Sequence, residues 1–110
     1  MPTRTVYAIS KAALVSLTQQ WAAELPKQYR CTVNAVRVGA AATEASAASA
    51  QAGDDLARNK ARAKVIEQTT AVARLGEIDD IAQVVAWLAS EGSGWVNGQT
   101  LNANGGVVFI

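Results

Sequence analysis

Apolar positions along the chain follow two rhythms, and each marks an element. From about Tyr7 to Leu25, Leu14, Leu17, Trp21 and Leu25 recur every three or four residues, the spacing that lines one face of a helix. Ala12, Ala13, Ala22 and Ala23 favour that helix and leave room for a close neighbour, while Pro26 disfavours its continuation. The spacing predicts a helix of about five turns. Cys31 to Val38 (CTVNAVRV) is instead rich in β-branched residues and poor in charge, as expected of a strand covered on both faces, and Gly39 closes it. Cys31, at the head of that strand, is expected to be a small core residue, because nothing near it in sequence would activate a thiol.

Beyond the strand the pattern weakens and then recovers. Ala40 to Gly53 is almost entirely Ala, Ser, Thr, Gln and Gly, with Glu44 as its one charge, so a mobile loop or weakly held helix is expected. Asp54 to about Thr70 suits a mostly surface helix anchored by Leu56, Val65 and Ile66. Arg58, Lys60, Arg62 and Lys64 fall at alternate positions, which spreads them around such a helix and makes a solvated surface rather than a phosphate-binding stripe. Asp79 and Asp80 sit where carboxylates favour a helix N-terminus, and Ile81, Val84, Val85 and Leu88 form the stripe of a second strong helix that stops before Gly92. The end of the chain predicts a turn at Asn97 and Gly98, a short strand from Gln99 to Ala103, and a further turn over Asn104 to Gly106. Two strands separated by helices point to parallel neighbours joined by a right-handed crossover, the unit of an open α/β sheet. No internal repeat or linker divides the chain, so one domain is expected.

Composition removes several function classes. The chain has 110 residues, half of them apolar, and a net charge of +1, so no strong field draws it to nucleic acid or to an anionic membrane. No apolar run reaches the roughly 18 residues of a spanning helix, and the N-terminus lacks the apolar run of a signal peptide. The single Cys31 has no internal disulfide partner, and an intracellular, cytoplasmic location is expected. There is no histidine, which removes Ser-His-Asp and Cys-His nucleophile arrangements and the commonest zinc ligand; no metal site is expected. Chemistry must then rest on Tyr, Lys, Ser, carboxylates or a bound cofactor.

Tyr7 and Lys11 meet that requirement. Four residues apart on one helix, their side chains project from the same face one turn apart. A phenol normally titrates near 10, and a neighbouring ammonium favours its phenolate, so such a pair can donate a proton to a carbonyl or accept one from an alcohol. Taken alone, Tyr-x-x-x-Lys is also a common accident of a solvated helix face. The surrounding strings change its meaning.

YAISKAALVSLTQQWAAEL, the strand TVNAV, the Gly-containing turn with Thr43, RLGEIDDIAQVVAWLAS and WVNGQTLNANGG together resemble, in family order and over nearly the whole chain, the short-chain dehydrogenase/reductase family. The resemblance implies a Rossmann-like, doubly wound α/β fold, represented here by two parallel strands with flanking helices and by the C-terminal part of the domain over residues 1–110. It implies Tyr7 as catalytic acid or base, and Lys11 as the residue that binds the nicotinamide ribose hydroxyls and tunes the Tyr. Gly39 matches the glycine of the family's Pro-Gly turn, with Val38 in place of the proline. Ala41 matches a position whose backbone contacts the carboxamide, and Thr43 matches a hydroxyl residue that contacts the cofactor. The implied cofactor is NAD or NADP, and the implied substrate is a small-molecule alcohol or carbonyl. The segment after Thr43 corresponds to the substrate lid.

Departures from the family pattern limit this expectation. Tyr7 stands so near the N-terminus that no room remains for the Gly-rich pyrophosphate turn, the family's Asn or its catalytic Ser, and neither Ser10 nor Ser16 aligns with that Ser. The N-terminal cofactor-binding half is thus expected to be missing, with weak cofactor binding and negligible turnover by the isolated chain. Three readings therefore stay open: an NAD(P)-dependent oxidoreductase, incomplete as an isolated chain; a non-catalytic assembly module that forms homo-oligomers or pairs with a full-length relative; and a truncated product with no activity of its own. Trp87, Trp95 and Leu101 lie where the family builds oligomer faces, although burial in the chain's own core would explain them equally. Asn104 to Gly106 lacks a following Gly-Lys-Ser or Gly-Lys-Thr and is expected to be a turn, and Asp79 with Asp80 is expected to cap a helix.

Overall fold

The computed structural model describes residues 2–44, 55–69, 71 and 73–108, without the side chains of residues 2–4, 55, 57 and 58. In chain order it contains α1 (Pro2–Glu24), the short α2 (Pro26–Tyr29), β1 (Ala35–Val38), α3 (Asp55–Gln68), α4 (Ile78–Leu88), a 3-10 turn (Glu91–Ser93) and β2 (Thr100–Ala103). The Ala-rich run sustains α1, which reaches back to Pro2 and so places Tyr7 inside the helix rather than at its start. Pro26 ends it, since it has no N–H to continue the ladder, and serves as the first residue of α2 instead. Arg30, left-handed at φ 52°, closes α2 by donating its N–H to the Pro26 carbonyl at 2.9 Å.

β1 and β2 pair as the predicted parallel two-stranded sheet. The Ala35 N–H donates to the Gln99 carbonyl at 2.8 Å and the Gly39 N–H to the Ala103 carbonyl at 2.9 Å, so the partner advances four residues as the strand does. Two parallel strands flanked by helices confirm the α/β class. The first strand is shorter than its sequence run: residues 31–34 are irregular chain outside the ladder, and Cys31 is exposed, which corrects the expectation of a core residue.

The chain forms two units, Met1–Val36 with Trp87–Leu101, and Arg37–Ala86 with Asn102–Ile110. In the first, two asparagines tie residues 31–36 to residues 95–99. Asn34 donates from Nδ2 to the Val96 carbonyl at 2.8 Å and accepts from the Gln99 N–H at 3.0 Å. The Val33 N–H donates to Asn97 Oδ1 at 2.9 Å, and Asn97 Nδ2 donates to the Ala22 carbonyl at 2.8 Å. Gly98 takes φ +71° in the predicted turn, and its N–H donates to the Val33 carbonyl at 2.8 Å.

The residues of α1 that become buried are not those the apolar stripe predicts. Thr18 and Ala22 are buried, whereas Leu14, Leu17 and Trp21 remain 40 to 51% exposed. A periodic stripe identifies the apolar face but not the partner that covers it. Trp87 is also exposed and Trp95 fully so, so the described residues of this chain do not themselves cover these two side chains.

In the second unit the segment after β1 is pinned at its start. The Gly76 N–H donates to the Ala40 carbonyl at 3.0 Å and the Ala42 N–H to the Gly76 carbonyl at 2.8 Å, making a parallel bridge between Ala41 and Gly76. Residues 40–42 are therefore held, contrary to the expectation of a loose segment from Ala40, and the remainder of that expectation, residues 45–53, lies outside the described residues. α3 is the predicted surface helix, with Leu56 65% exposed and Lys60, Arg62 and Lys64 exposed. Gly105 and Gly106 have φ of +61° and +82°, as the predicted turn requires.

Candidate active site

Tyr7 and Lys11 belong to the first unit, and α1 alone positions them. Four residues on a 3.6-residue helix bring the two side chains to one face, and the Lys11 ammonium lies 5.5 Å from the centroid of the Tyr7 ring. Both residues are exposed, so a substrate oxygen can reach the phenol without displacing protein. Ser10 does not face a reactant: its hydroxyl donates to the Tyr7 carbonyl at 2.8 Å, a local helix contact.

The face that bears this pair continues down the helix into the buried one. Thr18 and Ala22 stand eleven residues after Tyr7 and Lys11, and eleven residues make just over three whole turns, so each lies nearly beneath its counterpart about 16 Å along the axis. The upper part of the face presents Tyr7 and Lys11, and the lower part is packed.

Gly39, Ala41 and Thr43 belong to the second unit, on the segment that leaves β1. Gly39 is required there by close approach: a Cβ on it would lie 2.6 Å from Asn104 Cα and 2.8 Å from Asn104 Cβ. Ala41 is the bridged residue opposite Gly76. In a parallel bridge of this form the partner bonds the residues on either side, so Ala41's own N–H and C=O point away from Gly76. Those backbone groups have the donor and acceptor character that a primary carboxamide matches. Thr43 follows two residues later and is partly buried.

A cavity of about 280 Å³ opens beside the end of β1 in this unit, with Gly39, Thr69, Gly76, Ile81, Val84 and Asn104 on its walls. Gly39 alone of the predicted residues lines it. At its margin sits a pair the sequence had not revealed: Arg74 Nη1 and Nη2 lie 2.7 and 3.1 Å from the two Asp80 oxygens. Asp80 Oδ2 also accepts the Glu77 N–H at 2.7 Å, closing the first turn of α4, so the predicted helix-capping role holds for Asp80. The Arg74 guanidinium, helped by the Glu77 N–H, holds the Asp80 carboxyl down at about 2. Asp79 faces Gln83 instead. Among the described residues no cluster of metal-ligating side chains occurs, and no helix is long and apolar enough to cross a membrane.

Comparison with known proteins places this arrangement in a family. A family model described as enoyl-(acyl carrier protein) reductase matches residues 1–108. A short-chain dehydrogenase/reductase, FrzI, from a Cladobotryum species is 43% identical over 106 residues, covering 96% of this chain and 40% of that protein. Among solved structures, a short-chain dehydrogenase/reductase of Brucella melitensis superposes with a TM-score of 0.76 at 29% identity, over 94% of this chain and 38% of the other. A 4-hydroxyisoleucine dehydrogenase mutant complexed with NADH and succinate gives 0.75 at 28% identity, over 94% and 40%. The chain thus spans about 40% of the length of the relatives it matches, and over that span it belongs to the short-chain dehydrogenase/reductase family of oxidoreductases.

Proposed function

We propose that this chain supplies the proton-transfer side of an NAD(P)-dependent oxidoreductase acting on a small alcohol or carbonyl. The observation that carries this reading is the Tyr7–Lys11 pair, with the ammonium 5.5 Å from the phenol ring on an exposed helix face, inside a chain that matches the family over residues 1–108. Tyr7 Oη donates a proton to the carbonyl oxygen in reduction and accepts it from the alcohol in oxidation. Lys11 holds positive charge beside the phenol ring and binds ribose hydroxyls. The backbone of Ala41 and the hydroxyl of Thr43 hold the carboxamide end of the cofactor, with Gly39 keeping the backbone close. A bound nicotinamide would exchange a hydride with the substrate carbon.

The pyrophosphate-binding side of such a site is not among these 110 residues, so the isolated chain is expected to bind NAD(P) weakly and to turn over negligibly. The test joins the chain to the part of the Cladobotryum relative that precedes the matched region and measures NAD(P)H oxidation with a panel of small ketones and aldehydes. Carbonyl-dependent oxidation by the fusion supports the reading. Robust turnover by the 110-residue chain alone would contradict its incompleteness.

A second reading rests on the exposed apolar side chains Val6, Ile9, Leu14, Trp21 and Trp95 and on a sheet that has two strands among the described residues. On this reading the chain is an assembly module that forms homo-oligomers or pairs with a full-length relative through these surfaces. Size-exclusion chromatography with light scattering distinguishes it: a monomer that does not bind a full-length relative would rule the module out.

A further inference from the structure

The geometry points to Asn97 as a positioning residue for Tyr7 and Lys11, acting at the opposite end of α1; this inference rests on the proposed role of those two residues. The starting point is a missing donor. In a helix the carbonyl of Ala22 would accept from the N–H four residues on, but that residue is Pro26, which has none. The Leu25 N–H is engaged by Trp21, at 2.9 Å. Asn97 Nδ2 supplies the absent donor at 2.8 Å, from 75 residues away in sequence.

The same side chain is fixed at its other end, because Asn97 Oδ1 accepts the Val33 N–H at 2.9 Å. The next residue seals the contact: a Cβ on Gly98 would approach the Ala22 Cβ to 3.3 Å, so the turn lies directly on this buried point of the helix. One amide therefore joins the last turn of α1 to the segment that leads into β1 and to the turn that leads into β2. Because Ala22 lies almost directly beneath Lys11, and Thr18 beneath Tyr7, pinning Ala22 sets both the height of α1 and the direction in which Tyr7 and Lys11 face. Asn97 touches neither the phenol nor the ammonium and works only through the rigidity of three helical turns.

A double-substitution cycle in the 110-residue chain tests this. Asn97→Ala removes the donor, and Pro26→Ala gives Ala22 an N–H within its own helix. Asn97→Ala is expected to raise the unfolding equilibrium constant about five- to thirtyfold with Pro26 present, and by clearly less in the Pro26→Ala background, since the loss of the Val33 contact is common to both backgrounds and cancels. If Asn97→Ala does not fold, recovery of folding in the double variant supports the assignment and failure to recover overturns it. Equal costs in the two backgrounds would also overturn it.

Position is read separately with a nitroxide on the exposed Cys31, by paramagnetic broadening of the amides along α1. The natural chain is expected to show broadening with a helical period, and Asn97→Ala, with or without Pro26→Ala according to which variant folds, to flatten that profile. An unchanged profile with reduced stability would overturn the positioning role and leave Asn97 a stabilising residue only. Neither readout involves turnover, so a failure of the catalytic role of Tyr7 would appear in the fusion enzyme and not here.

Discussion

Lys11 sets its ammonium 5.5 Å from the centre of the Tyr7 ring, one helical turn away on a face whose continuation is buried at Thr18 and Ala22. The pair is therefore held by the helix rather than by surrounding side chains. Its separation follows from the four-residue spacing, and its direction follows from what the lower turns pack against.

Charge at Lys11 is expected to matter more than side-chain length. In the fusion enzyme, Lys11→Met should reduce kcat/KM by about two orders of magnitude or more, in the range of lost proton-transfer assistance, and should raise the KM for NAD(P)H. Lys11→Arg should recover part of the first effect by keeping a cation beside the phenol. Steady-state kinetics at varied cofactor concentration separates the two contributions.

Gly39→Ala should destabilise the chain by about 1–3 kcal/mol, because the added methyl meets the backbone of Asn104 at 2.6 Å and backbone gives way less readily than a side chain. Urea unfolding, with the m-value checked for constancy, measures this. A neutral result would mean that the end of β1 and the turn after β2 separate more easily than their contact implies.

Gly98→Ala should cost roughly 1–2 kcal/mol for its left-handed φ of +71°, with a further penalty from the approach to Ala22. Gly98→Asn should cost less, since asparagine tolerates that conformation. Comparing the two melting curves divides the backbone effect from the packing effect.

Asp80 gives the chain a pH dependence at the acid end. Its carboxyl is held at about 2 against an ordinary value of 3.8, so the folded state favours the ionised form. Its contribution is complete above about pH 4 and is lost as pH falls through about 2. The difference in melting temperature between the natural chain and Asp80→Asn should thus be largest near about pH 5 and shrink toward about pH 2. Arg74 and Asp80 are 41% and 45% exposed, so added salt should shrink it as well.

Local signals made much of the fold legible in the sequence. Alanines and periodicity marked α1, two Asp residues and an apolar stripe marked α4, and glycines placed the turns at 98 and 104–106. Tyr7 and Lys11 were recoverable because their relation is local, four residues on one helix. What escaped depends on partners far away in sequence. The exposure of α1's apolar stripe was not legible, since periodicity marks a face but not what covers it, nor was the place of Cys31 outside the ladder, since β-branched residues can precede a strand without pairing. Asn97 looked like a turn residue, and only the carbonyl of Ala22, 75 residues earlier, gives it a second role. A partial signal was available in Pro26, which leaves a helix carbonyl in need of a donor.

The most direct test of the central claim is the carbonyl-reduction rate of the fusion enzyme with Tyr7 replaced by Phe, a change that removes one oxygen from an exposed side chain. Because Phe keeps the ring beside Lys11, folding and cofactor binding should persist while kcat falls by about 10²–10⁴. A Tyr7→Phe enzyme that keeps the kcat of its parent would contradict the assignment of Tyr7 as the proton donor.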